Sequence, residues 1–491
     1  MNELDYVGPA RSYIRKLLAL DENHFNLPII EANTAPLALY YLQKALKNAQ
    51  MGKSIKLRKR GLVWKLAWCL REFVLSLKSV LSIKNHYTQC DFLFICNIER
   101  QNDIIVPVVK QLIKEKDVSI VIVTKVPFPS SIKVQNPKVI YTDWSHIRGL
   151  FYLTQLFSTL AKIKRPSLAQ SVAANAFYQW FETNAFKAVR AILIGKVVTQ
   201  KYHPKIIVVT DPSDFEAKSF TLMGKKVGIP SLCIQYGMLS PVNSEYTFFS
   251  QDAVATFDSS SAKVLKGHGI TPEKIHITGN PRFDHYKPDK IRRERTREKL
   301  KVNKNTPLVL FVSIPSAHDE IGGLESPIDQ SHYKDVLKAI YLLPNFLTTH
   351  QLVVRPHPEE DISLHNPFLQ DNPGNVIFDS KNRLIDILNA ADLVITLHST
   401  VGYEAIILDK PLIILNFNDR ESSVDYVQRG VAIEVKRKSE LVSNIESVLS
   451  NPTLRKKLTS ARKRYRKEMG VKPHESVHRC VKLLNQLILK D

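Results

Sequence analysis

Two short stretches of the chain gather side chains that bind anions. In HQLVVRPHP an apolar run ends on Arg355 and His357, and in DLVITLHST another ends on His398, Ser399 and Thr400, followed by Val401, Gly402 and Glu404. A third run, PLVLFVS, opens onto SIPSAHDE and supplies Ser313 and Ser316. Guanidinium, imidazole and hydroxyl groups all donate hydrogen bonds. A helix starting directly after Ser399 and Thr400 adds unpaired backbone N–H groups and the positive end of its dipole. Such a set can hold a phosphate and stabilise the charge that develops on a departing nucleoside phosphate without a metal. Glu404, one turn into that helix, can accept hydrogen bonds from ribose hydroxyls. Each piece also has a plain reading: Ser399 and Thr400 can simply cap the helix, and RPHP can be a turn in which Pro356 and Pro358 stop the strand. Their joint occurrence at neighbouring strand ends favours the phosphate site.

A group transfer also needs a proton acceptor, and carboxylates follow two earlier apolar runs. ICNIERQND places Glu99 after the first, and IIVVTDPSDFEAKSF places Asp211 after a later one, with Asp214 and Glu216 close behind. The catalytic candidates are thus Asp211, Glu99 and His357. DPSD is equally a turn and helix cap, and Glu99 can be a solvated loop residue paired with Arg100.

The elements that must position these residues are buried parallel strands. From Asp91 the chain alternates helical segments with DFLFICN, VSIVIVT, KVIY, KIIVVT and SLCIQYG, then with PLVLFVS, HQLVVRPHP, NVIF, DLVITLHS and PLIILN. Short apolar runs bounded by turn residues and separated by helices read as strands buried on both faces. Two such series imply two doubly wound α/β domains. In open parallel sheets ligands bind beyond the carboxyl ends of the strands, where Arg355, His357 and Ser399 fall. The charged stretch DHYKPDKIRRERTREKLKVNKNTP puts the junction near 285–305. The expected division is a helical appendage over 1–88, a first Rossmann-like domain over 89–290 for the acceptor, and a second over 291–491 for the donor, the two facing each other across a cleft.

Within the appendage, residues 61–83 repeat apolar residues at helical spacing, with Leu62, Leu66, Leu70, Phe73, Val74, Leu77 and Leu81 on one side. Lys65, Arg71, Glu72 and Lys78 interrupt it, so it falls short of the roughly 20 mainly apolar residues a membrane span requires. With Trp64 and Trp68 on its flanks and KLRKR before it, it fits a surface-lying membrane helix, or a helix packed on the first domain.

The 491 residues carry a net charge of +22, with 44% hydrophobic residues. That composition supports sizeable cores, and the field favours anionic partners: phosphorylated substrates, anionic lipid or nucleic acid. No zinc pattern, RNP-like motif or basic region with aromatic interleaving supports nucleic acid. Five scattered cysteines without C-x-x-C spacing suggest a reducing compartment. The N-terminus lacks the apolar core of a secretory signal.

RPHP, followed some forty residues later by LVITLHSTVGYEAIILDKPLI, resembles the paired motifs of bacterial GT-B enzymes that build surface carbohydrate. These include capsular polysaccharide glycosyltransferases, polysialyltransferases and CDP-glycerol glycerophosphotransferases. GIPSLCIQYGMLS and VATFDSSSAKVLKGHGITPEKIHITGNPRFD are similar to their domain junction, so the resemblance spans about 205–451. It implies a GT-B fold and transfer of a sugar from a nucleotide-activated donor to a surface-glycan or lipid-linked acceptor, with no cofactor and no metal. By motif, His357 corresponds to the donor-phosphate histidine, Ser399 and Thr400 to phosphate-binding hydroxyls, and Glu404 to the ribose ligand. Tyr236 stands where relatives commonly carry histidine. Leu412, eight positions after Glu404, replaces the second glutamate of retaining enzymes, so inversion is expected. The expected location is the cytoplasm, with peripheral contact to the inner membrane. A CDP-glycerol-type glycerophosphotransferase and a sugar-nucleotide 2-epimerase are the alternatives, although HSTVGYEA lacks the adjacent glycines usual in such epimerases; a basic nucleic-acid-binding protein is the distant one.

Overall fold

The computed structural model describes residues 89–115, 117–124, 139–143, 158, 172–237, 239, 246, 248–314, 330–358, 360–371, 376–397, 399–417, 419, 425–468 and 475–489. The appendage at 1–88, with its amphipathic stretch 61–83, and the candidates Ser316 and His398 lie outside the described residues. The chain divides into two compact units. One comprises the described residues up to Tyr236 with those of 241–284 and 475–491, and the other those of 237–240 and 285–474.

In the first unit, β1 (Phe92–Cys96), β2 (Ile120–Thr124), β3 (Val139–Asp143), β4 (Ile206–Val209), β5 (Ser231–Ile234), β6 (Ala253–Thr256) and β7 (Ile275–Ile277) form one parallel sheet in the order β3-β2-β1-β4-β5-β6-β7. FLFIC, IVIVT and IIVV are buried at every position, as strands covered on both faces must be. The helices α1 (Asn102–Glu115), α2 (Val172–Tyr202), α3 (Phe215–Lys225) and α4 (Ser259–Gly267) alternate with them. Asp214 and Asp258 cap α3 and α4 by accepting from Ala217 N and Ser261 N.

The C-terminal helix Ser476–Ile488 departs from the expected division, which grouped it with the second domain. Its Cys480, Val481, Leu483, Leu484 and Leu487 join the core formed by β1, β2, β4 and α1. Burying the four aliphatic side chains contributes about 1.5–3 kcal/mol each. Asp284 fixes the helix start, accepting from Ser476 N at 3.0 Å and Val477 N at 2.7 Å. In the same NPRFD segment Asn280 Nδ2 donates to the Gln235 carbonyl after β5, at 2.9 Å. The junction motif thus acts as a clasp within this unit.

In the second unit, β8 (Leu308–Val312), β9 (Gln351–Arg355), β10 (Val376–Phe378), β11 (Leu393–Thr396), β12 (Leu412–Leu415) and β13 (Ile433–Val435) form a parallel sheet ordered β10-β9-β8-β11-β12-β13. Its helices are α5 (Lys290–Lys299), α6 (Gln330–Tyr341), α7 (Asn366–Asp371), α8 (Leu384–Ala390), α9 (Thr400–Ile407), α10 (Leu441–Ser450) and α11 (Pro452–Glu468). Much of the charged junction stretch is α5, pinned by Arg292 to Asp386 and by Arg293 and Arg297 to Asp392. In both sheets the strand order reverses beside the first strand, the topological switch point at which ligands bind in this architecture.

A buried carboxylate organises the second unit near that point. Glu360 accepts from the hydroxyls of Ser313 and Tyr333, from His357 N at 2.9 Å, and from His365 Nε2 at 2.9 Å. Tyr341 OH lies 2.8 Å from His365 Nδ1, so the network is satisfied by an Nε2–H imidazole. Burial pushes the Glu360 carboxyl up, but hydrogen bonds from His365, Ser313 and Tyr333 outweigh it and hold the group below the usual carboxylate range.

A lowered folded-state pKa stabilises the protein above the unfolded value, about 4.3 for glutamate, and the benefit disappears as pH falls through the folded value. Glu360→Gln is therefore expected to destabilise the unit by about 2–3 kcal/mol at pH 7, the deficit shrinking below about pH 4.3. Urea titrations at several pH values check this. Gly402 in α9 gives a second expectation, because an added Cβ would stand 2.5 Å from Tyr426 Cε2 and 3.2 Å from Leu412 Cδ2. Tyr426 is fully buried, so Gly402→Ala should cost about 1–3 kcal/mol and lower the calorimetric Tm.

Candidate functional site

The carboxyl edge of the second sheet brings five predicted residues to the ends of three adjacent strands. Val312 at the end of β8 is in register with Arg355 on one side and Thr396 on the other. Thr396 Oγ1 donates to the Val312 carbonyl at 2.9 Å, and Ser313 N donates to the Arg355 carbonyl at 3.0 Å. Two interstrand steps separate β9 from β11, about 10 Å. Arg355 and His357 therefore flank Ser313 on one side, and Ser399 and Thr400 flank it on the other.

His357 is positioned through its backbone. Its N–H donates to Ser313 Oγ at 2.8 Å as well as to Glu360, and its carbonyl accepts from Glu360 N at 3.0 Å. Ser313 is buried and spends its hydroxyl beneath the turn, while the His357 side chain is half-buried at the rim. Arg355 uses Nη1 on the Asp379 carbonyl at 3.0 Å. Burial lowers its pKa, opposed by the nearby Asp379 carboxylate, and a partly desolvated guanidinium favours an anionic partner.

Ser399 has extended backbone and caps α9, its Oγ accepting from Val401 N at 3.3 Å. The plain capping role is present, and it also fixes where the helix N-terminus opens onto the strand-end edge. Glu404 lies in the next turn, 1% exposed, and accepts from Tyr286 OH at 3.0 Å. Tyr286, itself buried, was not singled out by the sequence; neither was Glu360.

The first unit holds the remaining candidates at its own switch point, between β1 and β4. Asp211 Oδ1 accepts from Ser213 N at 2.9 Å and Ser213 Oγ at 2.7 Å, a local turn, while Oδ2 has no partner among the described residues. Asn97 Nδ2 donates to Asp214 across the two strand ends. Glu99 is exposed in the short 3-10 helix Glu99–Gln101. Tyr236, after β5, receives a hydrogen bond from Arg100; burial raises its pKa, while Arg100 and Arg282 counteract. Among the described residues no group of three or more His, Cys, Asp or Glu side chains is placed to hold a metal ion, and no helix is long and apolar enough to cross a membrane.

Comparison with known proteins places this geometry. Residues 249–482, which include every described site residue of the second unit, match the family model for CDP-glycerol:poly(glycerophosphate) glycerophosphotransferase. No curated protein sequence matches the chain. Among solved structures, a putative UDP-N-acetylglucosamine 2-epimerase from Listeria monocytogenes aligns with TM-score 0.55 at 15% identity, over 82% of this chain and 98% of its own. The UDP-GlcNAc 2-epimerase of Neisseria meningitidis, bound to UDP-GlcNAc, aligns with TM-score 0.51 at 14% identity, over 82% and 100%. A variant of the wall teichoic acid polymerase TagF aligns with TM-score 0.52 at 11% identity, over 92% and 97%. The chain therefore has the GT-B fold, as its resemblance to surface-carbohydrate enzymes implied, and residues 249–482 are its region similar to the CDP-glycerol glycerophosphotransferases.

Proposed function

We propose that the protein transfers a group from a nucleotide-activated donor to a surface-polymer or lipid-linked acceptor, holding the donor phosphates among Arg355, His357, Ser399 and Thr400. The observation that carries this reading is that those residues stand at or just beyond the ends of β9 and β11, the strands flanking β8, where the strand order reverses. The donor class best supported is CDP-glycerol, because the glycerophosphotransferase family match contains the whole set. In that reaction an acceptor hydroxyl attacks the glycerol-bearing phosphorus, the bond to the bridging diphosphate oxygen breaks, and CMP departs. Arg355, the His357 imidazole and the N-terminus of α9 stabilise the negative charge gathering on the leaving phosphate.

A second reading, favoured by the motifs shared with capsular glycosyltransferases, is an inverting transfer from a nucleotide sugar, in which the hydroxyl attacks the anomeric carbon. In either case a base takes the acceptor proton, and we assign this to Asp211, whose Oδ2 has no partner among the described residues, ahead of the exposed Glu99. An acceptor anchored in a membrane would give the amphipathic stretch 61–83, with KLRKR before it, a role in binding an anionic surface.

The released nucleotide separates the readings. With a membrane fraction as acceptor, CDP-glycerol should yield CMP; a nucleoside diphosphate released from a sugar nucleotide would instead support sugar transfer. Isomerisation of UDP-GlcNAc without acceptor, or failure to bind any of these donors, would remove the transferase assignment. His357→Ala is expected to lower kcat about 10²–10³-fold. Asp211→Asn should abolish turnover with donor affinity nearly intact in calorimetry, and an active variant would exclude Asp211 as the base.

A further inference from the structure

The opposite, amino edge of the second sheet carries a second concentration of cations. A cavity of about 260 Å³ is lined there by Arg293, Lys410, Arg455 and Arg462, with Asp392 and Asp409. It lies before β11 and β12, so the length of a strand, about 13 Å, separates it from the carboxyl edge. Most of this charge has a structural task. Arg293 and Lys410 donate to the carbonyls of Asn389 and Ala391, covering the C-terminal end of α8. Asp392 is paired with Arg293 and Arg297, and Asp409 with Arg462 and Arg466.

Three features exceed that task. Arg462 is 2% exposed, and its Nη1 has no hydrogen-bond partner although Nε and Nη2 are bonded to Asp409 and Thr459. A buried guanidinium N–H without an acceptor is costly, and one facing a cation-lined cavity is open to an anion. Arg455 is exposed at the cavity mouth, and its side chain has no partner among the described residues. Burial, with Arg293 beside it, pushes the Lys410 ammonium down to about 8, a cation short of negative charge. Both aspartates are already neutralised, so cations are in excess. The volume falls below the roughly 300 Å³ at which pockets for drug-sized ligands begin, which selects a small anion.

We propose that this amino-edge cavity is a binding site for a small phosphate anion, inorganic phosphate or diphosphate, held by Arg455, Lys410 and Arg462 and separate from the donor site. The proposed reaction gives these residues no role.

The test titrates the full-length protein with sodium diphosphate and with sodium phosphate in isothermal calorimetry, at ionic strength held constant with chloride. The His357→Ala/Ser399→Ala double variant, which disables the donor-phosphate residues, should retain saturable binding. Adding Arg455→Glu to it, an exposed substitution that leaves the core untouched, should weaken that binding tenfold or more, since a charge-assisted contact becomes a repulsion. Absence of saturable binding in the double variant would overturn the proposal, as would affinity unchanged by Arg455→Glu. Loss in the double variant with retention in the wild type would assign the anion to the donor site instead, leaving that reading standing and this one refuted.

Discussion

The second unit is built around a carboxylate that water cannot reach. An isolated buried charge costs several kcal/mol, and Glu360 offsets that only because four donors arrive from different parts of the chain. Ser313 comes from the end of β8, His357 N from the turn after β9, Tyr333 from α6 and His365 from the 3-10 helix Ile362–His365. Tyr341, two turns further along α6, completes the set behind His365. The packing of α6, the end of β8 and the course of RPHP all refer to one pair of oxygen atoms. The His357 side chain inherits its position from this arrangement.

Around that anchor the two edges of the sheet use charge differently. At the amino edge the cations answer protein groups: Asp392 accepts from Leu308 N as well as from Arg293 and Arg297, and this tethers the starts of β8 and β11 to α5. At the carboxyl edge the donors are Arg355, His357 and the start of α9, and the carboxylates named beside them, Glu360, Asp379 and Glu404, are all buried. A helix N-terminus and a half-buried guanidinium leave a positive local potential there. The same parallel strands thus carry mostly paired cations at one end, with Arg455 and one Arg462 N–H left over, and a helix N-terminus beside a half-buried guanidinium at the other.

Most of the scaffold was legible because buried parallel strands are written as unbroken apolar runs. Every run read as a strand, from FLFIC to LIIL, is one. The strands that escaped are β6, β7 and β13. β7 and β13 are edge strands of three residues, only partly buried, whose IHI and IEV alternate with polar residues. β6, AVAT, is buried but built from small side chains that give a weak apolar signal. Arg355, His357, Ser399 and Thr400 could be placed at strand ends because a strand end is a local feature. Glu360 and Tyr286 could not, since their meaning comes from partners 47 and 118 residues away. The C-terminal helix shows the same limit: its stripe of Cys480, Val481, Leu484 and Leu487 declares a buried face without saying which core receives it.

Glu404 shows how a residue expected to bind ligand can be committed within the protein as well. Its carboxylate is almost fully buried, and one oxygen is occupied by the Tyr286 hydroxyl. Removing a carboxylate from water without such a donor would be costly, and Tyr286 supplies one in the second turn of α9. A ribose hydroxyl that bonded the same carboxylate would have to share it with the phenol or replace it. Replacement would cost the Tyr286 hydroxyl this bond. Any affinity gained from a ribose at Glu404 is therefore reduced by what the Tyr286 phenol gives up.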